Sequence, residues 1–149
     1  LSKSDINAFT AGALATVLPE ADDLVADQVR RIVLCSGKVY FDLLSARRER
    51  EIEDIAIMRV EQLYPFPRRR LAELLKQFPL ATEVVWCQEE PRNQGAWYQI
   101  QHHLRVLTQT AQSLGYAGRA PSASPARSRT SAARPSATSS KPTCSARLR

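Results

Sequence analysis

From Arg31 to Arg119 the chain repeats one pattern: a short run of branched and apolar residues, a turn, then a stretch whose apolar residues recur at helical spacing. Strands joined through helices pair side by side in the same direction, so this alternation predicts an α/β fold on a parallel sheet. Arg31-Ile-Val-Leu-Cys35 reads as a strand, and Val39, Tyr40, Leu43 and Leu44 mark one face of the helix after it. Ile55-Ala-Ile-Met-Arg-Val60 is a second strand, followed by Tyr64-Pro-Phe-Pro67 and a helix carrying Leu71, Leu74, Leu75 and Phe78 at i, i+3, i+4 and i+7. Pro67 suits the first turn of that helix, where a missing N–H leaves no bond unmade.

The third strand, Glu83-Val-Val-Trp-Cys87, is a continuous apolar run of the kind buried on both faces. A polar loop leads from it to a helix with Trp97, Ile100 and Leu104 on one face. Gly115–Arg119 reads as a fourth, short strand, and Ala13–Leu18 as a further candidate ahead of Pro19. Residues 1–30 are otherwise an N-terminal linker whose acidic residues Glu20, Asp22, Asp23 and Asp27 are expected to be solvated. Residues 31–126 form the α/β domain. Residues 127–149 collapse to Arg, Ser, Ala, Thr and Pro, a low-complexity composition too poor in apolar surface to offset chain entropy, and are expected to be disordered.

Charge follows this division. The net charge is +6, and residues 127–149 hold six of the 21 basic residues and none of the 15 acidic ones, so the body is neutral. A neutral body with a cationic end lacks the basic face of a groove-reading protein, which argues against nucleic acid as a partner. Cys35, Cys87 and Cys144 are far apart and in no C-x-x-C spacing, so neither a disulfide framework nor a zinc site is expected. No run approaches the about 18–20 apolar residues that span a bilayer, so no membrane partner is expected. The chain starts at Leu1 with no Met and no apolar leader, which places residue 1 within a longer polypeptide, and the abrupt onset of the tail fits a shifted reading frame.

Two loops carry chemistry. Ser36-Gly37-Lys38 lies at a strand-to-helix turn, where free backbone N–H groups, a hydroxyl and a positive charge favour an anion; the same residues also read as a helix N-cap at Ser36 with a glycine for a tight turn. A Walker loop is excluded, because Ile32 stands where its first glycine would be and Val39 follows the lysine. Glu89-Glu90-Pro91 ends the third strand, the edge at which open α/β sheets bind ligands. Adjacent carboxylates in an extended chain point opposite ways and make no matched acid/base pair. With Asn93, Gln94, Gly95 and Trp97, this loop reads either as packing against a neighbouring domain and supporting a remote active site, or as a solvated acidic turn with a helix cap at Asn93. His102 and His103 are about 100° apart on a helix, unable to share one metal, and are expected to be one packed and one exposed. Cys87, inside an apolar strand, is expected to be an inert core residue.

Four stretches carry a resemblance: Val33–Leu44, Arg59-Val-Glu-Gln-Leu-Tyr-Pro-Phe-Pro67, Val85-Trp-Cys-Gln-Glu-Glu-Pro-Arg-Asn-Gln-Gly-Ala-Trp97 and Tyr116–Ala126. Together, in this order, they resemble the C-terminal domain of the 2-oxoglutarate dehydrogenase E1 family, whose fold is that of the transketolase C-terminal domain. The resemblance implies a three-layer αβα domain on a mostly parallel twisted sheet of four to five strands. It also implies a parent that uses thiamine diphosphate and Mg to decarboxylate 2-oxoglutarate and passes succinyl to the lipoyl-bearing E2 subunit. That parent would be a homodimer in the bacterial cytoplasm, or in the mitochondrial matrix if eukaryotic. Its thiamine-binding segments lie upstream, so this chain alone is expected to bind no cofactor and to be inactive. Family members carry an effector site for AMP or acetyl-CoA in this domain. The resemblance implies Ser36, Gly37 and Lys38 for that site, joined by Arg92 and Arg31. A free-standing AMP- or coenzyme A-binding module, and a nucleic-acid binder acting through its cationic tail, are the alternatives from other classes.

Overall fold

The computed structural model describes residues 14–108 and 112–123. Five strands form one sheet: β1 (Val17–Leu18), β2 (Arg31–Cys35), β3 (Ile55–Val60), β4 (Glu83–Pro91) and β5 (Ser113–Arg119), in the order β1-β3-β2-β4-β5. β2 runs parallel to β3 and β4, and β4 parallel to β5, while β1 pairs antiparallel with the end of β3. Three helices connect them: α1 (Val39–Glu49), α2 (Arg68–Leu75) and α3 (Trp97–Thr108). The expected α/β class, parallel sheet and three layers are all present.

Alternation along the strands sorts the core into two clusters, one on each face of the sheet. Ile32, Leu34, Met58, Val84 and Trp86 meet α2 and α3 through Leu71, Leu74, Ile100 and Leu104. Val33, Cys35, Ile57 and Val85 meet α1 through Val39, Tyr40, Leu43 and Leu44. The helix after β2 therefore covers one face, and the helix after β4 covers the other. Phe78 lies three residues past the end of α2, yet it is buried in the same cluster as the helix's leucines. Pro67 stands just before the first helical residue rather than within the turn.

The N-terminal segment departs most from expectation. β1 is only two residues long, and most of β3's outer edge is covered by side chains instead of a strand. Arg47, on the buried stripe of α1 and 1 % exposed, donates to the backbone oxygen of Ile55 at 2.8 Å and to Glu20 Oε1 at 2.7 Å. Glu20 Oε2 in turn accepts from the Ile57 N–H at 2.6 Å. Asp22 accepts from Arg47 at 2.6 Å and pairs with Arg48 as well. The acidic segment expected to be solvated thus supplies a buried carboxylate, because an open sheet edge leaves N–H and C=O groups that need partners. The hydrogen bond from Arg48, with the nearby Arg47, holds the Asp22 carboxyl down at about 2.

Cys87 is disulfide-bonded, against the expectation of an unpaired core thiol, whereas Cys35 is free and burial pushes its thiol up to about 12. The basic tail, 127–149, lies outside the described residues. No helix among the described residues is long and apolar enough to cross a membrane.

Candidate functional site: the crevice between β2 and β4

β2 and β4 are neighbours, but their following helices leave to opposite faces, so their carboxyl ends part and open a crevice. A cavity of about 600 Å³ occupies it, a size suited to a small-molecule ligand. Ser36, Gly37 and Lys38 line one side. Gln88, Glu89, Glu90 and Gly95 line the other, with Leu63, Tyr64, Gln99 and His103 contributing from the α2 and α3 side. The two loops singled out in the sequence therefore converge on one rim of the sheet.

The turn after β2 is sharp because Gly37 takes φ +72, a left-handed conformation open to glycine without cost. α1 begins only at Val39, with Lys38 at the cap position and no side-chain cap bond, so Ser36 is not the N-cap. Its hydroxyl stays beside the cavity, next to the exposed Lys38.

The other loop is held by Gln88, which is 4 % exposed and which the sequence reading passed over. Its Oε1 accepts from the Trp86 indole N–H at 2.9 Å and the Trp97 backbone N–H at 3.1 Å. Its Nε2 donates to the backbone oxygens of Pro91 at 3.1 Å and Gln94 at 2.7 Å. One amide thus satisfies backbone groups on both sides of the loop. Gly95, at φ +69, passes so close that an added Cβ would lie 2.9 Å from Gln88 Nε2. Its only sequence signal is its position as the first polar residue after the apolar run of β4, ahead of Glu89 and Glu90.

Glu89 and Glu90 are both exposed, not split between inside and outside. The ladder explains this: Cys87 pairs with Ala117 and Pro91 with Arg119, so four steps on β4 match two on β5. Such a bulge breaks the alternation on which the expectation rested. Asn93 does not cap α3. Its side chain exchanges hydrogen bonds with Ser122, donating to the carbonyl and accepting from the N–H, both at 2.9 Å, and Gln94 donates to the same carbonyl at 3.2 Å. Trp97 is buried behind the loop against Tyr116, ring centroids 5.1 Å apart. Arg92 lies over those rings, 5.3 Å from the Tyr116 centroid, and is not among the residues lining the cavity. Arg31 sits at the opposite, amino end of β2, paired with Glu83 and lining a separate cavity of about 260 Å³. Of the five effector residues expected, the fold gathers Ser36, Gly37 and Lys38, and places Arg92 and Arg31 elsewhere.

His103 was read only as packed or exposed. It is half-buried on the wall of the crevice, and its ring stacks on Phe66 with centroids 4.8 Å apart. Arg68 Nε donates to its Nδ1 at 3.0 Å. His102 is the exposed one, as expected of the pair.

Among the described residues no group of three or more His, Cys, Asp or Glu side chains is placed to hold a metal ion.

A sequence model of the family described as "2-oxoglutarate dehydrogenase C-terminal" matches residues 3–138. The chain is 51 % identical over 123 residues to the 2-oxoglutarate dehydrogenase E1 component of Cupriavidus necator, covering 83 % of this chain and 13 % of that protein. The E1 component of Azotobacter vinelandii is 52 % identical over 126 residues, covering 83 % and 13 %. That of Haemophilus influenzae is 47 % identical over 126 residues, covering 85 % and 14 %. The chain thus spans about an eighth of the length of these relatives. With the matched motifs forming both sides of the crevice, the chain belongs to the 2-oxoglutarate dehydrogenase C-terminal family.

Proposed function

We propose that this chain is the C-terminal, dimer-supporting and effector-binding domain of a bacterial, cytoplasmic 2-oxoglutarate dehydrogenase E1 component. The parent enzyme decarboxylates 2-oxoglutarate with thiamine diphosphate and transfers succinyl to the lipoyl arm of E2. The thiamine site belongs to the remainder of that polypeptide, so the chain alone is inactive. The loop from Glu89 to Trp97 supports a neighbouring domain or subunit from the rim of the crevice, and the crevice receives the effector.

One observation carries this reading: the two loops that hold the family's wording, Ser36–Lys38 and Gln88–Gly95, line a single cavity at the switch point of the sheet. A phosphate there would meet the turn's backbone N–H groups, the Ser36 hydroxyl and the Lys38 ammonium, an arrangement that favours anions at helix starts. Titrating AMP and acetyl-CoA against the intact parent enzyme tests it. Lys38→Ala should weaken one of them about 10- to 100-fold, as expected for a lost charge-assisted hydrogen bond of about 1.5–3 kcal/mol. Unchanged affinity for both would remove the effector role.

A further inference from the structure

We propose that His103 is a ligand-binding residue of this crevice, a fixed hydrogen-bond donor that selects anions carrying a second acceptor beyond the oxyanion held at Ser36–Lys38. The proposal deepens the effector-binding reading and rests on it.

Arg68 remains protonated under all ordinary conditions and has only N–H groups to offer. Its Nε donates to His103 Nδ1 at 3.0 Å, and its Nη2 lies against the same nitrogen. Nδ1 must therefore present its lone pair. A neutral imidazole carries one proton, so that proton is on Nε2. An imidazolium would set N–H against N–H and bring two positive charges together. Burial, with His102 and Arg68 alongside, lowers the His103 pKa, in keeping with the neutral ring.

The ring itself has little freedom. Phe66 stacks on it at 4.8 Å with planes 20° apart, and His102 lies 3.8 Å away, centroid to centroid. With Nδ1 taken by Arg68, Nε2–H is the hydrogen-bonding group His103 has left for the cavity it lines. A ring locked in one tautomer is a poor proton shuttle and a good reader, because it accepts a lone pair and turns away a donor. Opposite it stands the cationic turn of Lys38. A ligand filling the crevice thus meets a positive charge at one side and a neutral donor at the other. The favoured class is a small anion with a separate acceptor, such as a heterocyclic or carbonyl group, rather than a bare oxyanion.

The test uses the intact parent enzyme with two probes, AMP and inorganic phosphate, and nitrogen-resolved NMR of the histidine ring. Wild type should show His103 protonated at Nε2 alone near neutral pH, and Arg68→Ala should admit the Nδ1–H tautomer as a minor form. His103→Asn, which withdraws the donor, should weaken AMP binding about 5- to 10-fold and leave inorganic phosphate within about twofold, the size expected of one neutral hydrogen bond. His103→Gln should keep most of the AMP affinity, because its amide nitrogen reaches close to where Nε2 sits. Lys38→Ala should weaken both probes. A proton on Nδ1, or AMP affinity unmoved by His103→Asn while Lys38→Ala still weakens both probes, would overturn the role of His103 and leave the effector site standing. If AMP fails to bind the wild-type enzyme, or ignores Lys38→Ala, this proposal falls, and the effector reading falls with it only if acetyl-CoA ignores Lys38→Ala as well.

Discussion

Two buried polar clusters hold irregular chain against the sheet, and they do it with opposite chemistry. At the carboxyl rim, the neutral amide of Gln88 ties the loop around Gly95 by bonding backbone groups from Trp97, Pro91 and Gln94. At the outer edge of β3, the charges of Arg47, Glu20 and Asp22 tie down the N-terminal segment. The amide presents a donor and an acceptor from one side chain, so it serves N–H and C=O groups together and leaves no charge behind. The ionic cluster meets the same need at the sheet edge with two ions in the interior, an arrangement that holds only while both are present. The loop beside the crevice is thus fixed by a group indifferent to pH, while the structural edge is fixed by one that is not.

The sharpest way to break this contrast is Arg47→Met, which keeps volume and leaves the Glu20 carboxylate, 6 % exposed, with only the backbone N–H groups of Ala21, Asp22 and Ile57 and no counter-charge. The expected loss is about 3–5 kcal/mol of stability in denaturant unfolding, the cost of an uncompensated buried charge. A loss below about 1 kcal/mol would mean that the cluster is ordinary surface pairing. Gln88→Met comes next, leaving the Trp86 indole N–H and the Gln94 carbonyl unpaired, with an expected loss of about 2–3 kcal/mol. Here the fluorescence of Trp86 and Trp97 should also shift, since both tryptophans donate to that amide, one through its indole and one through its backbone.

The smallest effect should be the one that separates the two clusters by pH. Asp22 has its pKa lowered from 3.8 to about 2, chiefly by the hydrogen bond from Arg48. A depressed carboxylate contributes fully above its unfolded pKa and loses that contribution as pH falls toward its folded one. Wild type should therefore lose stability between about pH 4 and pH 2, and Asp22→Asn should show a shallower fall over that window. Gln88→Met should keep the wild-type slope, because an amide does not titrate. Parallel acid limbs for wild type and Asp22→Asn would erase the distinction between the clusters.

Much of the architecture was legible because it rests on patterns that local chemistry writes. The runs at Arg31–Cys35 and Ile55–Val60 end where the strands end, and Leu71, Leu74 and Leu75 fall on one buried helical face. Both loops of the crevice were also legible, since a Gly-containing turn after a strand and a polar stretch after an apolar one mark the same edge of a sheet. Arg47 was not, though it sits four residues after Leu43 on the buried stripe of α1, where a basic residue asks for a buried partner. Its partner Glu20 is 27 residues away in sequence. His103 was missed for the same reason: Phe66 and Arg68, which define it, lie at the start of α2, with β4 lying between them and α3 in the chain.

The sequence by itself determined which segments are strands and helices, and which turns carry an anion-friendly set of side chains. Periodicity and turn chemistry act over a few residues, so they are present in the chain before it folds. Only the tertiary structure decided that Arg31 and Arg92 lie away from the crevice, that Glu89 and Glu90 face outward together, and that an acidic linker closes an edge of the sheet. Those outcomes depend on strand order, on a bulge in one ladder and on contacts between distant segments, and such pairings exist only once the sheet has assembled.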